Sequence, residues 1–158
     1  MKENPTIKEK SLQPVEAAVH SAPAKKAADT NEEIDERILQ AAHAASDKKA
    51  LDLVLIDLRE IATFTDYFLI TSGSNQRQVQ AIADEVIEKL KKSGSPAARV
   101  EGYRNAEWVL VDYGDFVVHV FEEKARRFYD LERLWREGKR VQLPSEFDNQ
   151  PSSLRNEL

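Results

Sequence analysis

The sequence predicts an α/β fold in which helices flank a mixed β-sheet, arranged as an α/β sandwich. Short apolar runs typical of strands alternate with stretches whose apolar residues recur at helical spacing. After a first helix, the order along the chain is strand, strand, helix, strand, strand, helix. A tight turn between the last two strand patterns predicts a hairpin, so part of the sheet is expected to be antiparallel.

The first half of this pattern contains one helix and two strands. Asn31 can cap the helix, and its apolar stripe comprises Ile34, Ile38, Leu39 and Ala42. The run 53–56 is continuously apolar, and the run 67–71 is apolar apart from its final threonine. Such runs are expected of strands that are covered on both faces.

Two further helices are predicted after these strands. Asn75 and Gln78 have the spacing of a capping pair at a helix start, and Gly94 and Pro96 end that helix. The last helix is expected from about residue 124 to a stop at Gly138. Its apolar stripe comprises Ala125, Phe128, Leu131 and Trp135.

A β-hairpin is predicted between these two helices. The β-rich runs 108–113 and 116–121 are separated by Gly114 and Asp115, a favoured two-residue turn. Because side chains alternate along strands, this register places six residues on one face of the sheet. The expected pairs are Trp108 with Phe121, Leu110 with His119, and Asp112 with Val117.

A single folded domain is expected in this chain of 158 residues. Residues 1–30 contain three prolines and no sustained apolar period, which predicts a disordered N-terminal extension. Residues 144–158 begin with a Pro-Ser segment and predict a flexible C-terminal tail. The domain is therefore expected to span residues 31–143.

Composition and charge exclude several functional classes. The chain has no cysteine, so disulfides, thiolate zinc sites and cysteine nucleophiles are excluded, and a cytoplasmic location is expected. No apolar run approaches the roughly 18 residues of a membrane-spanning helix. Residues 31–143 carry a net charge of −4, which is unfavourable for binding nucleic acid mainly through phosphates.

Three features are candidates for a functional role. The turn 73–75 could bind a phosphate, but it lacks the spacing of a nucleotide-binding loop, so a capped helix start is favoured. Asp112, Asp115 and His119 could form a metal or hydrolytic site. A turn aspartate and a hydrogen-bonded strand histidine are the favoured interpretation of this cluster. Trp108 fits a core residue and an interface anchor equally well.

Several sequence blocks resemble one known family. Residues 65–74 read TDYFLITSGS and are followed by Arg77, and VEG at 100–102 precedes Trp108 by six residues. Residues 109–115 read VLVDYGD, residues 119–121 read HVF, and residues 127–135 read RFYDLERLW. In order and spacing, over about residues 31–136, these blocks resemble the RsfS or Iojap family of ribosomal silencing factors.

The resemblance implies an α/β sandwich related to the nucleotidyltransferase fold, and a binding protein with no cofactor or metal. Members bind the large ribosomal subunit through its protein numbered fourteen and block association with the small subunit. They thereby repress translation, notably under nutrient limitation. The tryptophan matching Trp108 belongs to the family's partner-binding surface. Asp112, His119, Phe121 and Tyr129 join it here as neighbours in sequence or on the predicted face.

The residues by themselves leave other functions open. The main alternative is a nucleotidyltransferase-related enzyme acting on a nucleotide or RNA. Gly73 and Ser74 fit its helix start, but no Asp-x-Asp pair follows to hold metal.

The acidic charge disfavours a free-standing RNA-binding module. Residues 124–140 hold seven basic residues against three acidic ones, which allows a peripheral contact with ribosomal RNA. A homodimer of the free protein also stays open.

Overall fold

A computed structural model describes residues 33–148, which form a six-stranded sheet with helices on both faces. The helices are α1 (Glu36–Asp47), α2 (Gln76–Lys92), α3 (Glu123–Tyr129) and α4 (Leu131–Leu134). The strands are β1 (Leu51–Asp57), β2 (Tyr67–Gly73), β3 (Arg99–Glu101), β4 (Trp108–Asp112), β5 (Phe116–Glu122) and β6 (Lys139–Val141). Their order across the sheet is β3-β4-β5-β2-β1-β6.

The sheet is mixed, as the sequence predicts. β2 pairs in parallel with β5, and within residues 33–148 the other four neighbouring pairs are antiparallel. The β4–β5 hairpin has the predicted register, with Trp108 opposite Phe121 and Leu110 opposite His119. The predicted fold class and hairpin are therefore confirmed.

The two long helices cover the first face of the sheet. Their apolar stripes, with buried Ile38 on α1 and Ile82 on α2, pack on the alternate strand residues that point the same way. Val109 and Val118 are among these strand residues. The capping of α2 is confirmed, because the Asn75 side chain accepts a hydrogen bond from the amide of Gln78 at 2.8 Å.

The second face is covered by much less chain. α3, α4 and the loop 58–66 pack against the intervening strand residues and form a separate apolar cluster. This second cluster contains Ile56, Phe68, Trp108, Phe121 and Trp135. The sheet is consequently buried on both faces, but by helices of very different length.

The loop between β1 and β2 is tied to the hairpin turn. The hydroxyl of Thr65 donates to the carbonyl of Gly114 at 3.0 Å, and the amide of Asp66 donates to the carbonyl of Asp115 at 3.0 Å. The Asp115 carboxylate also accepts from Arg37 on α1 at 2.6 Å. These bonds give the Thr-Asp pair at the start of the TDYFLITSGS block a structural role.

The structure corrects the predicted ends of two helices. α1 begins at Glu36, and Asp35 caps it by accepting a hydrogen bond from the amide of Arg37 at 2.8 Å. Asn31, the predicted cap, lies outside the described residues. The predicted last helix is wrong as a single element, because Asp130 adopts a left-handed backbone with φ of 47° and separates α3 from α4.

The folded region also extends past the predicted boundary at residue 143. Residues Ser145–Phe147 form a 3-10 turn, and the Phe147 side chain is buried in the first core. Phe147 packs on the ring of His43 with centroids 4.8 Å apart, and His43 Nε2 lies 2.7 Å from the Glu146 carboxylate. The predicted tail therefore starts too early. The predicted extension 1–30 lies outside the described residues.

Within residues 33–148, no helix is long and apolar enough to cross a membrane.

Phe147→Ala should lower the free energy of unfolding by about 3 kcal/mol, because it removes a buried ring from the side of α1. Urea denaturation of the full chain measures this change. Glu146→Gln is the control, since an exposed ion pair contributes at most about 1 kcal/mol. A loss for Phe147→Ala no larger than that of the control would show that residues 144–148 do not stabilise the fold.

Candidate partner-binding surface

A buried hydrogen bond joins two of the predicted partner-binding residues. The indole N–H of Trp108 donates to Nδ1 of His119 at 3.0 Å, and neither residue is exposed to solvent. Because Nδ1 accepts, the neutral imidazole carries its proton on Nε2. Burial lowers the pKa of His119 to about 3, so the ring stays neutral at physiological pH.

Trp108 also belongs to a series of aromatic rings that leads from the sheet to the surface. Its ring centroid lies 4.9 Å from that of Phe121 and 4.7 Å from that of Tyr129. Tyr129 meets Phe128 edge to face at 5.0 Å. Such ring pairs attract each other beyond the area that they bury. Three of the predicted residues thus form one cluster, and Phe128 is its outermost ring.

The structure buries Trp108, which the sequence left equally compatible with a core residue and an interface anchor. The predicted shared face exists, but α3 and α4 cover it, and Trp108 has an exposed fraction of 0%. His119 and Phe121 are equally buried. Since a side chain touches a partner only through exposed atoms, the core interpretation of Trp108 is the one that the fold realises. Its part in partner binding stays a prediction.

Asp112 and Tyr129 differ from the other three because both are partly exposed. The Asp112 carboxylate accepts from the amide of Gly114 at 2.8 Å and from the guanidinium of Arg99 at 3.2 Å. It therefore stabilises the hairpin turn and the edge strand β3. Tyr129 lies at the end of α3, packed between Trp108 and Phe128.

The most exposed large apolar residue of the described chain is Phe128, with 79% of its surface accessible. Leu134 on α4 is 43% exposed, and Ile61 in the loop 58–66 is 38% exposed. All three lie on elements that cover the second face of the sheet. We call Phe128, Leu134 and the neighbouring Tyr129 the α3–α4 surface.

Sequence reasoning missed this surface because it assigned Phe128 to a buried stripe. That stripe requires one continuous helix from residue 124 onwards. The left-handed residue Asp130 ends α3 after two turns, so the positions before and after it no longer share a face. Aspartate tolerates this conformation better than most residues do, but an aspartate alone does not predict a helix break.

Arg126 positions the α3–α4 surface on the sheet. Its guanidinium donates to the carbonyls of Leu51 and Asp52 and to the hydroxyl of Ser72, at 3.3, 2.9 and 3.0 Å. It also forms an ion pair with Glu132 on α4 at 2.8 Å. The same side chain therefore binds the start of β1 and the end of β2, and it joins α3 to α4. Its fixed planar donors suit a site with several acceptors.

The three residues considered for a metal or hydrolytic site have separate structural roles. Asp112 binds the hairpin turn, Asp115 binds Arg37, and His119 binds Trp108. Among residues 33–148, no three His, Asp or Glu side chains are grouped so that they could hold a metal ion. At the turn 73–75, the amide of Ser74 donates to the Gln78 side chain at 2.7 Å. The capped helix start, favoured over a phosphate site, is therefore what the fold contains.

Comparison with known proteins gives one consistent family. Residues 31–157 match the family model described as "Ribosomal silencing factor during starvation". The chain is 43% identical over 110 residues to the ribosomal silencing factor RsfS of Halalkalibacterium halodurans, covering 69% of this chain and 94% of that protein. It is 46% identical to the Bacillus subtilis RsfS over 95 residues, which are 60% of this chain and 80% of that protein.

A solved structure shares the fold. The crystal structure of a Chromobacterium violaceum protein is 38% identical and superposes with a TM-score of 0.64. The match covers 72% of this chain and 92% of the crystallised one.

Acidification should destabilise the domain through His119. The folded pKa of about 3 lies below the usual value near 6.5, so between these values only the unfolded chain takes up the proton. The stabilisation is complete above about pH 6.5 and is lost as the pH falls toward 3. His119→Phe removes this titration and should flatten the dependence of unfolding free energy on pH by up to about 1.4 kcal/mol per unit.

The measurement is chemical denaturation of the wild type and the variant between pH 7 and pH 4. At pH 7 the variant should be less stable by about 1–3 kcal/mol, because the Trp108 N–H loses its acceptor. His43→Gln, which removes a half-exposed histidine, serves as the control. Equal pH slopes for the wild type and His119→Phe would refute the assignment.

Proposed function

The chain belongs to the ribosomal silencing factor family, and on this premise we propose that it binds the large ribosomal subunit through ribosomal protein fourteen of that subunit. Bound there, it blocks association with the small subunit and so represses translation, notably under nutrient limitation. The family match over residues 31–157 is the observation that carries the proposal. The names of the relatives indicate regulation of translation, and the proposal includes neither catalysis nor a cofactor. The proposed location is the cytoplasm.

The α3–α4 surface is the proposed contact with the protein partner. A phenylalanine that is 79% exposed gains free energy when a partner covers it, and aromatic residues are frequent among interface hot spots. The ring of Phe128 packs against Tyr129, which in turn packs against the buried Trp108. A ring held in this way loses little conformational entropy on binding, which favours affinity.

This arrangement suggests distinct roles for the five residues predicted to bind a partner. Tyr129 contacts the partner directly, next to Phe128. Trp108 and Phe121 support Tyr129 from below, and His119 fixes the orientation of the indole through its hydrogen bond. Asp112 lies at the far end of the hairpin, where its carboxylate holds the turn. In this proposal only Tyr129 combines exposure with a place on the docking surface.

The nucleotidyltransferase alternative has weaker support. It requires two carboxylates that converge on a divalent metal. Asp112 and Asp115 are each engaged by a different basic or backbone partner, and Asp112 ends β4 whereas Asp115 lies in the turn. No observation on the described residues favours this alternative.

Phe128→Ala should weaken binding to large subunits by about 2 kcal/mol, roughly thirtyfold, because it removes the most exposed apolar side chain of the docking surface. The unfolding midpoint should barely change, since the ring is largely exposed. Co-sedimentation with purified large subunits measures binding, and reassociation of separated subunits measures the block.

Tyr103→Ala is the matched control for that variant. Tyr103 is a partly exposed aromatic residue in the loop before β4, where its hydroxyl binds Asp84 on α2 at 3.1 Å. Its loss should leave binding unchanged. If Phe128→Ala binds and blocks as the wild type does, the α3–α4 surface is not the docking surface.

Trp108→Ala should act mainly on folding. Removal of a fully buried indole is expected to cost about 3–5 kcal/mol of unfolding free energy, against a few tenths for an exposed site. Thermal unfolding and co-sedimentation are measured on the same preparation. A folded variant with unchanged stability and lost binding would show instead that Trp108 contacts the partner directly.

A further inference from the structure

The charge of the described chain is strongly segregated. Residues 124–140 contain seven basic and three acidic residues, although they are a small part of the domain. The remaining described residues contain ten basic and nineteen acidic ones. A domain with this distribution is oriented by a polyanion, because its basic end is attracted while the rest is repelled.

The fold concentrates several of these basic residues on one side of the sheet. Arg140 on β6 pairs with Ile56 on β1, and Ile56 belongs to the second apolar cluster. Because paired residues of neighbouring strands point the same way, Arg140 lies on the face that α3 and α4 cover. Lys139 pairs with Asp57 and points to the opposite face, so it does not belong to this group.

Not all of these basic residues are available to a ligand. Arg126 is engaged by the strand carbonyls and by Glu132, and Arg133 lies 4.0 Å from Asp130. Arg127, Arg136 and Arg140 are exposed and form no ion pair within residues 33–148. We call these three the arginine rim, because Arg127 and Arg136 lie on or next to α3 and α4, and Arg140 points to the same face of the sheet.

We propose that the arginine rim binds phosphates of large-subunit RNA beside the protein partner. The inference rests on the proposed function, which supplies the ribosomal setting, and deepens it by naming a second partner and the side chains that bind it. An apolar centre with a charged margin is the usual arrangement of an interface. Guanidinium groups bind phosphate oxygens in a bidentate manner, and arginines without an ion-pair partner are suited to this. The acidic remainder of the domain limits the RNA contact to this margin.

The test is the salt dependence of binding to purified large subunits. Each phosphate contact contributes close to one unit to the slope of log affinity against log salt concentration. Arg136→Gln/Arg140→Gln should therefore reduce this slope by about 2 and weaken binding about tenfold at low salt. Binding of the same variant to isolated ribosomal protein fourteen should be unchanged.

Lys91→Gln/Arg104→Gln removes the same charge from the opposite side of the domain, on α2 and the loop before β4, and is the matched control. Both of its residues are exposed. An equal reduction of the slope by this control would overturn the proposal, since net charge alone would then explain the effect. A loss of binding to isolated protein fourteen by the arginine variant would also overturn it, because the rim would then contact protein. The proposed function is tested separately: it fails if the wild-type protein does not co-sediment with large subunits.

Discussion

The guanidinium of Arg126 binds the carbonyls of Leu51 and Asp52, the hydroxyl of Ser72 and the carboxylate of Glu132. The first two acceptors lie at an irregularity of β1, where the register to β2 shifts and Asp52 has a φ of 48°. Carbonyls released from strand pairing at such a bulge need other donors. Together with the Thr71 hydroxyl, which donates to the Leu51 carbonyl at 2.7 Å, Arg126 satisfies this local defect of the sheet, and it also holds α3 in place. The cover of the second face, the burial of Trp108 and the exposure of Phe128 all depend on this contact.

The two faces of the sheet are stabilised in different ways. On the first face, α1 and α2 supply long apolar stripes, so hydrophobic burial alone can hold them. On the second face, α3 has seven residues and α4 has four, too few to bury a comparable area. Polar anchoring by Arg126 and aromatic packing around Trp108 compensate for this deficit.

Much of the fold could be predicted from local sequence because the deciding interactions are local. The hairpin register follows from a two-residue turn and strand alternation, and the start of α2 follows from Asn75 and Gln78. The three-residue strands β3 and β6 are too short for a periodic pattern. Close approach fixes both: a Cβ on Gly102 would lie 2.1 Å from the carbonyl oxygen of Trp108, and one on Gly138 would lie 2.6 Å from Ile56. Such constraints between distant segments are not visible in the sequence.

The candidate site was harder to predict than the fold because burial depends on what covers a face. Hairpin alternation correctly groups Trp108, His119 and Phe121, yet it does not reveal whether a helix lies over them. Whether it does depends on the anchoring of α3 by Arg126 and on the backbone of Asp130, which turns the chain so that Leu131 and Trp135 point inward while Phe128 points outward. A residue matched to a family's binding surface can therefore act at that surface from beneath it. In this domain the indole of Trp108 packs on Tyr129, and Tyr129 packs on the exposed ring of Phe128, so the proposed docking ring and the packing of the core are parts of one aromatic cluster.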